Sequence, residues 1–290
     1  MVESTVKNQR NLFQRFNLEV RDHMLAWQQA VLIFGGLLLG LFLSALMLVV
    51  AGGGGSDLLN EFIISIFTSS RNINAVLLLS APLVIVGLSA AIGFKARFWN
   101  IGIEGQVIFG AIGATLIANY DIGPDGFRVL LMGLVAALFG MAWIALPMVL
   151  RLKLQVNEII STLLLNYIAF NFLLHLLFGS WKDPITSFPN SKIYDQFERL
   201  PKLAGLDFNV SILLALALVI ISVWVLAVSR FGFVLKFVYS NSKMAKSIGI
   251  NVGVLVACAA LASGALSGIA GFTISASIDS RLTQSFFVGY

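Results

Sequence analysis

The chain has 290 residues, 58% of them hydrophobic and 11% charged, where an ordinary soluble domain carries about a quarter charged residues; this excludes a water-soluble surface. The net charge of +5 comes from Lys and Arg dispersed between apolar segments, which argues against nucleic acid as a partner and for a lipid bilayer with an anionic inner leaflet. Cys258 stands alone and cannot close an intrachain disulfide, and His23 and His175 are too few and too distant for a histidine-based metal site.

Along the chain, the polar segment 1–29 precedes an apolar run too long for a secretory signal core, so it is read as leading into a retained first span. Apolar windows predict seven spans, at 30–50, 73–94, 101–118, 129–150, 159–178, 210–228 and 252–272. The expected fold is an all-α, polytopic transmembrane helical bundle, with a cytoplasmic segment 1–29 and a permease-like domain 30–290. Gly52 to Ser56 reads as a flexible linker, and 57–67, alternating apolar residues with Asp57, Asn60, Glu61 and Ser65, as a short helix at the outer interface. Lys7, Arg10, Arg15 and Arg21 put the amino terminus in the cytoplasm. Alternating from there, Lys95, Arg97, Arg151, Lys153, Arg230, Lys236, Lys243 and Lys246 all fall inside. A long loop, 179–209, falls outside, and seven spans leave the carboxyl end outside.

Several chemistries are missing. No G-x-x-x-x-G-K-[ST] run supplies a phosphate cradle, so ATP-driven work needs a partner. No aspartate cluster suits magnesium diphosphate, and no serine, histidine and carboxylate set occurs, so neither an enzyme nor a cofactor or metal is expected.

Three segments carry candidate function. Asn100, Glu104 and Gln106 stand at the mouth of an apolar helix within FWNIGIEGQVIFGAIGA, 98–114, where polar groups face a protein interior or a watery cavity. Glu104 can instead sit at the cytoplasmic interface paired with Lys95 or Arg97. In the fifth span Asn157, Glu158, Thr162 and Asn166 include four-residue spacings that line one helix face, either bordering a pathway or bonding between helices. Gly102, Gly105, Gly110 and Gly113, with the pairs Gly36 and Gly40, and Gly264 and Gly268, favour close helix packing. In loop 229–251, Ser240, Asn241 or Ser242 caps a short helix ending at Gly249. Met244, Ala245 and Ile248 form its apolar side and Lys243 and Lys246 flank it; such a helix can dock in a groove of another protein, or be a basic loop obeying the orientation rule.

These segments, with NEIISTLLLNYIAF at 157–170, KDPITSFPNS at 182–191, NSKMAKSIGIN at 241–251 and RLTQSFFVGY at 281–290, resemble the permeases of ATP-binding-cassette importers of the branched-chain amino acid and simple sugar class. The likeness is greatest to nucleoside and simple sugar permeases that work with basic membrane lipoproteins. It implies a bacterial plasma-membrane subunit that pairs with a cytoplasmic ATPase, a second homologous permease and an extracytoplasmic solute-binding lipoprotein. It implies a nucleoside as cargo, with a simple sugar or branched-chain amino acid as the alternative. Asn241, Lys243, Met244, Ala245, Lys246, Ile248 and Gly249 would then couple to the ATPase, and Asn100, Glu104, Gln106, Asn157, Glu158 and Asn166 would lie near the pathway. Family members continue beyond Tyr290 with further helices, so the chain is expected to be a fragment or a truncated product. An ion-coupled carrier is the rival of another class; it would place acidic residues mid-span or show inverted repeats, and neither is evident.

Overall fold

The computed structural model describes residues 24–286, apart from 53, 187 and 204–207. The amino-terminal cations Lys7, Arg10, Arg15 and Arg21, and the last four residues of RLTQSFFVGY, lie outside the described residues. The chain divides into two compact units, Met1–Thr68 and Ser69–Tyr290.

In the first unit, α1 (Ala26–Val50) is an apolar helix of 25 residues. After a turn at Gly52 with φ 98, a helical run follows as α2 (Gly55–Leu59), a π-helical stretch (Asn60–Ile64) and α3 (Ser65–Thr68). The linker expected at 52–56 is therefore shorter than its composition suggested, since Gly55 and Ser56 open α2. Within this unit Gly36 and Gly40 meet no atom within 4 Å, so the close packing expected there is not made inside it.

The second unit contains α4 (Ser70–Lys95), α5 (Ile103–Asn119), α6 (Asp125–Leu154), α7 (Glu158–Phe178), α8 (Val210–Val228), α9 (Arg230–Ser240), α10 (Ser242–Ser247) and α11 (Val252–Thr273), which runs on into a π-helical stretch (Ile274–Asp279). Among the described residues six helices, α1, α4, α6, α7, α8 and α11, are long and apolar enough to cross a membrane, and α5, at 17 residues, is a shorter apolar one. Each expected span is thus a helix. α6 starts earlier than hydropathy indicated because Asp125, in its first turn, complements the positive end of the helix dipole. Stretch 229–251, read as a loop with one short helix, holds two, α9 and α10.

α11 is the axis of this unit and packs against α4, α5 and α6. Its Gly264, Gly268 and Gly271 meet the small faces of the neighbours. A Cβ on Gly268 would collide with Ala136 O, one on Gly271 with Val107 O, and one on Gly140 of α6 with Gly264 O. Bilayer lipid gives apolar helices no hydrophobic reason to associate, so this backbone-to-backbone contact supplies the van der Waals attraction.

α5 begins inside the protein, where water cannot satisfy its first N–H groups. Side chains do so instead. Asn166 Oδ1 on α7 accepts Gly105 N–H at 2.9 Å, Asn166 Nδ2 donates to Ile101 O at 3.0 Å, and Asn100 Oδ1 accepts Gly102 N–H at 3.1 Å. Thr162 Oγ1 accepts Ile101 N–H at 3.3 Å.

Two outcomes are expected of purified protein. Gly268→Ala should cost on the order of 1–3 kcal/mol through overpacking, read as a lowered thermal unfolding midpoint in detergent, whereas Gly87→Ala, which meets nothing within 4 Å, should leave the midpoint in place. Asn166→Leu strands the buried Gly105 N–H and removes the partner of Ile101 O, and should cost about 1–3 kcal/mol, with faster amide exchange at 101–106 as the signature.

Candidate functional site

The interior polar groups form one connected network across three helices. Asn100 and Gln106 pair amide to amide: Asn100 Nδ2 donates to Gln106 Oε1 at 3.0 Å and Gln106 Nε2 to Asn100 Oδ1 at 2.9 Å. Asn100 Nδ2 also reaches Ser263 Oγ on α11 at 3.2 Å. Ser89 of α4 lies 2.8 Å from Ser263 Oγ and 2.7 Å from Ser267 Oγ, completing the chain of contacts. All five side chains are buried, and a satisfied buried network fixes one arrangement of its helices. The sequence reading singled out Asn100 and Gln106 but missed Ser89, Ser263 and Ser267. A serine in an apolar run gives little signal until the fold shows that it meets two others.

The other expected pathway positions separate into different settings. Asn166 is buried at the start of α5, as described above. Asn157 caps α7, its Oδ1 accepting Ile159 N–H at 2.9 Å. Glu158 lies with its Oε1 2.7 Å from Arg151 Nη1. Glu104, on α5, is half-buried, and none of the ion pairs among the described residues includes it. The pairing with Lys95 or Arg97 is therefore not made. Arg97, held at φ 54, lies over the Tyr239 ring at 5.4 Å and Arg151 over Phe98 at 5.2 Å, so the local guanidinium groups are engaged elsewhere. Close to Gly105, Trp143 of α6 stacks on Phe109 of α5, leaving its buried Nε1 without a partner.

Two faces bound this bundle. On one, the long loop 179–209 and the segment after α11 pair through their backbones. Asn190 bridges to Thr283, Tyr194 N–H donates to Ser280 O at 2.8 Å, and Leu200 N–H to Ala276 O at 3.0 Å. Asp183 steadies the loop by accepting Ile185 N–H and the Thr186 hydroxyl, bonds that hold its carboxyl below the usual range. Tyr194 is buried, meets Thr115 Oγ1 at 2.6 Å, and burial pushes its phenol up to about 12. Arg128 at the start of α6 bonds Asp121, Asp125 and Glu198 at 2.8, 2.9 and 2.9 Å and lies over Phe197. Asp121, Asp195 and Glu198 carry carboxylate oxygens close enough to hold a metal ion, but the Arg128 guanidinium already bonds two of the three, Asp121 and Glu198.

On the other face, α9 and α10 stand beside the ends of α4, α8 and α11. Ser229 caps α9, accepting Gly232 N–H at 3.2 Å. Asn241 caps α10, accepting Met244 N–H at 3.0 Å. α10 then ends in a Schellman turn: Gly249 takes φ 86 and donates to Lys246 O, and Ile250 N–H donates to Ala245 O, both at 3.1 Å. Lys243, Met244, Lys246 and Ile248 are exposed, whereas Ala245 is fully buried, so its methyl packs inward and belongs to no partner-facing surface.

The model of the family described as branched-chain amino acid transport system / permease component matches residues 72–290. The glucose ABC transporter permease of Haloferax volcanii is 31% identical over 81% of this chain and 64% of its own length. The guanosine ABC transporter permease of Bacillus subtilis is 28% identical over 81% of this chain and 68% of its own. For the nucleoside permease NupB of Lactococcus lactis the figures are 26%, 80% and 66%. The chain thus spans less than two thirds of the first of these relatives. No solved structure matches it. A match across most of the chain, on a bundle of apolar helices long enough to cross a bilayer, shows that this multi-pass membrane protein belongs to the branched-chain amino acid transport system permease family.

Proposed function

We propose that the chain is the transmembrane permease subunit of an ATP-binding-cassette importer, moving a small neutral polar solute by alternating access driven by separate ATPase subunits. The observation that carries this reading is the family match over 72–290. A nucleoside is the first cargo, supported by the relatives named for guanosine and nucleosides. Glucose is the second reading, supported by the 31% identity to a permease named for it. A carboxylate-bearing cargo is disfavoured, because the buried cation Arg128 is already neutralised by three carboxylates. The pathway positions are Asn100, Glu104, Gln106, Asn157, Glu158 and Asn166; of the two acidic ones, Glu158 pairs with Arg151, and Glu104 is in no ion pair among the described residues.

Charge supports the orientation. Lys95, Arg97, Arg151, Lys153, Arg230, Lys236, Lys243 and Lys246 gather at one face against Glu104 and Glu158. At the other, Arg71, Arg128, Lys182, Lys192, Arg199, Lys202 and Arg281 are nearly matched by Asp121, Asp125, Asp183, Asp195, Glu198 and Asp279. The unbalanced face belongs in the cytoplasm of a bacterial plasma membrane, with the amino terminus on that side. The balanced face receives solute from an extracytoplasmic lipoprotein, and a second homologous permease completes the pathway. α10 is the coupling element: Met244 and Ile248 enter a groove on the ATPase, flanked by Lys243 and Lys246, while the Asn241 cap and the Gly249 turn hold its ends.

Met244→Asp with Ile248→Asp, both at exposed positions, should lower co-purification of the ATPase about tenfold or more and abolish uptake, while the permease still inserts in the membrane. Undiminished ATPase binding would remove the coupling assignment.

A further inference from the structure

α7 differs from the other spanning helices of its unit in what it leaves exposed. α6 shows Leu130, Leu134 and Leu138 to its surroundings, and α8 shows Leu216, Ile220 and Val223, which suit lipid. α7 exposes Leu164, Ile168 and Phe172 too, but beside them it exposes Tyr167, Asn171 and His175, spaced by four residues and so stacked on one helix face. The stripe starts near the middle of the helix and climbs about 12 Å towards the face that holds loop 179–209. Its hydrogen-bonding capacity is largely unused: Asn171 Nδ2 donates to Tyr167 O at 2.8 Å within the same helix, and the Asn171 carbonyl, the Tyr167 hydroxyl and the His175 ring meet no partner among the described residues.

Polar side chains without partners at the depth of Tyr167 and Asn171 are costly against lipid tails, and such groups face a water-filled path or another protein. We propose that this stripe lines the outer half of the aqueous transport pathway and hydrogen-bonds the passing solute. The inference rests on the importer reading and deepens it by naming the wall of the path. The chemistry offered is a phenol, a carboxamide and an imidazole, which together donate and accept without a fixed cation. That suits an uncharged solute rich in hydroxyl and amide groups. The stripe therefore faces the path rather than a dry seam with the second permease, whose contact would have to satisfy these groups with its own side chains.

The test uses the full chain in native membranes with its transporter partners and Cys258→Ser as the background. Tyr167→Cys, Asn171→Cys and His175→Cys are compared with Leu134→Cys and Ile220→Cys, using a membrane-impermeant sulfonated maleimide added from outside. Labelling at the three stripe positions and its loss at the two lipid-facing ones is expected, with protection by saturating guanosine. Absent labelling at Tyr167→Cys and Asn171→Cys, or labelling no stronger than at the controls, overturns the proposal, including in favour of a dry subunit seam. Asn171→Ser, which keeps a hydrogen-bonding group, should retain uptake that Asn171→Leu loses; equal uptake by the two also overturns it. A labelled stripe protected by glucose but not by guanosine would sustain the path and sink the nucleoside cargo.

Discussion

A bilayer core offers no hydrogen bonds, and every unusual feature of this bundle follows from that constraint. Among the described residues, six of the seven long apolar helices satisfy their own backbones along a length sufficient to cross. α5 is shorter and starts inside the protein, so the groups at its beginning would be stranded without help. Asn166, Thr162 and Asn100 provide it. Once those polar side chains are buried they need partners of their own, which is why Gln106, Ser263, Ser89 and Ser267 lie in reach. The same constraint explains the glycines. Polar contacts link α4, α5 and α11 only if the helices come close, and Gly110, Gly140, Gly264, Gly268 and Gly271 remove the side chains that would keep them apart.

The two faces use opposite electrostatic solutions. At the face bearing loop 179–209, the buried guanidinium of Arg128 is surrounded by carboxylates. Removing one member of such a buried set typically costs about 3–5 kcal/mol, because the remaining charge stays desolvated. This knot ties the α5–α6 turn to the long loop, and Tyr194 ties the loop to α5 through Thr115. The α9–α10 face holds more cations than carboxylates: Arg151 pairs with Glu158 and lies over Phe98, and Arg97 lies over Tyr239. The first face is closed by its own contacts; the second keeps charge free for an anionic surface or a partner.

How far the sequence revealed this depended on the range of the signal. The spans were legible because each is a long apolar run imposed by the membrane, and the α10 cap and turn because Asn241 and Gly249 are local instructions. α9 was not, since an 11-residue amphipathic helix is shorter than any spanning window and its basic residues looked like an orientation signal. The Thr162 and Asn166 spacing was recognised as a face, but its use, stapling the start of α5, needs the position of a helix 61 residues away in sequence. The alternative pairing of Glu104 is not made, for a similar reason. Proximity along the chain suggested Lys95 or Arg97, whereas Arg97 takes a left-handed backbone and turns to Tyr239 on α9. Tyr167 and His175 carried no signal singly; only exposure on the folded helix joins them with Asn171.

The packing also bears on how force would travel through the subunit. α10 touches α9 and α11, and α9 in turn touches α4, α8 and α11. A push on the exposed Met244 and Ile248 thus enters the axis helix directly and its neighbours through α9. α11 is packed tightly against α5 and α6, because at Gly268 and Gly271 backbone meets backbone and at Gly264 the helix abuts both the Ile144 side chain and the Gly140 backbone. The buried Ser89, Ser263 and Ser267 contacts hold α4 to the same block. α4, α5, α6 and α11 therefore form one tightly packed block, with α7 held to it through Asn166 at the start of α5. In the importer reading, the stripe on α7 would be carried with that block.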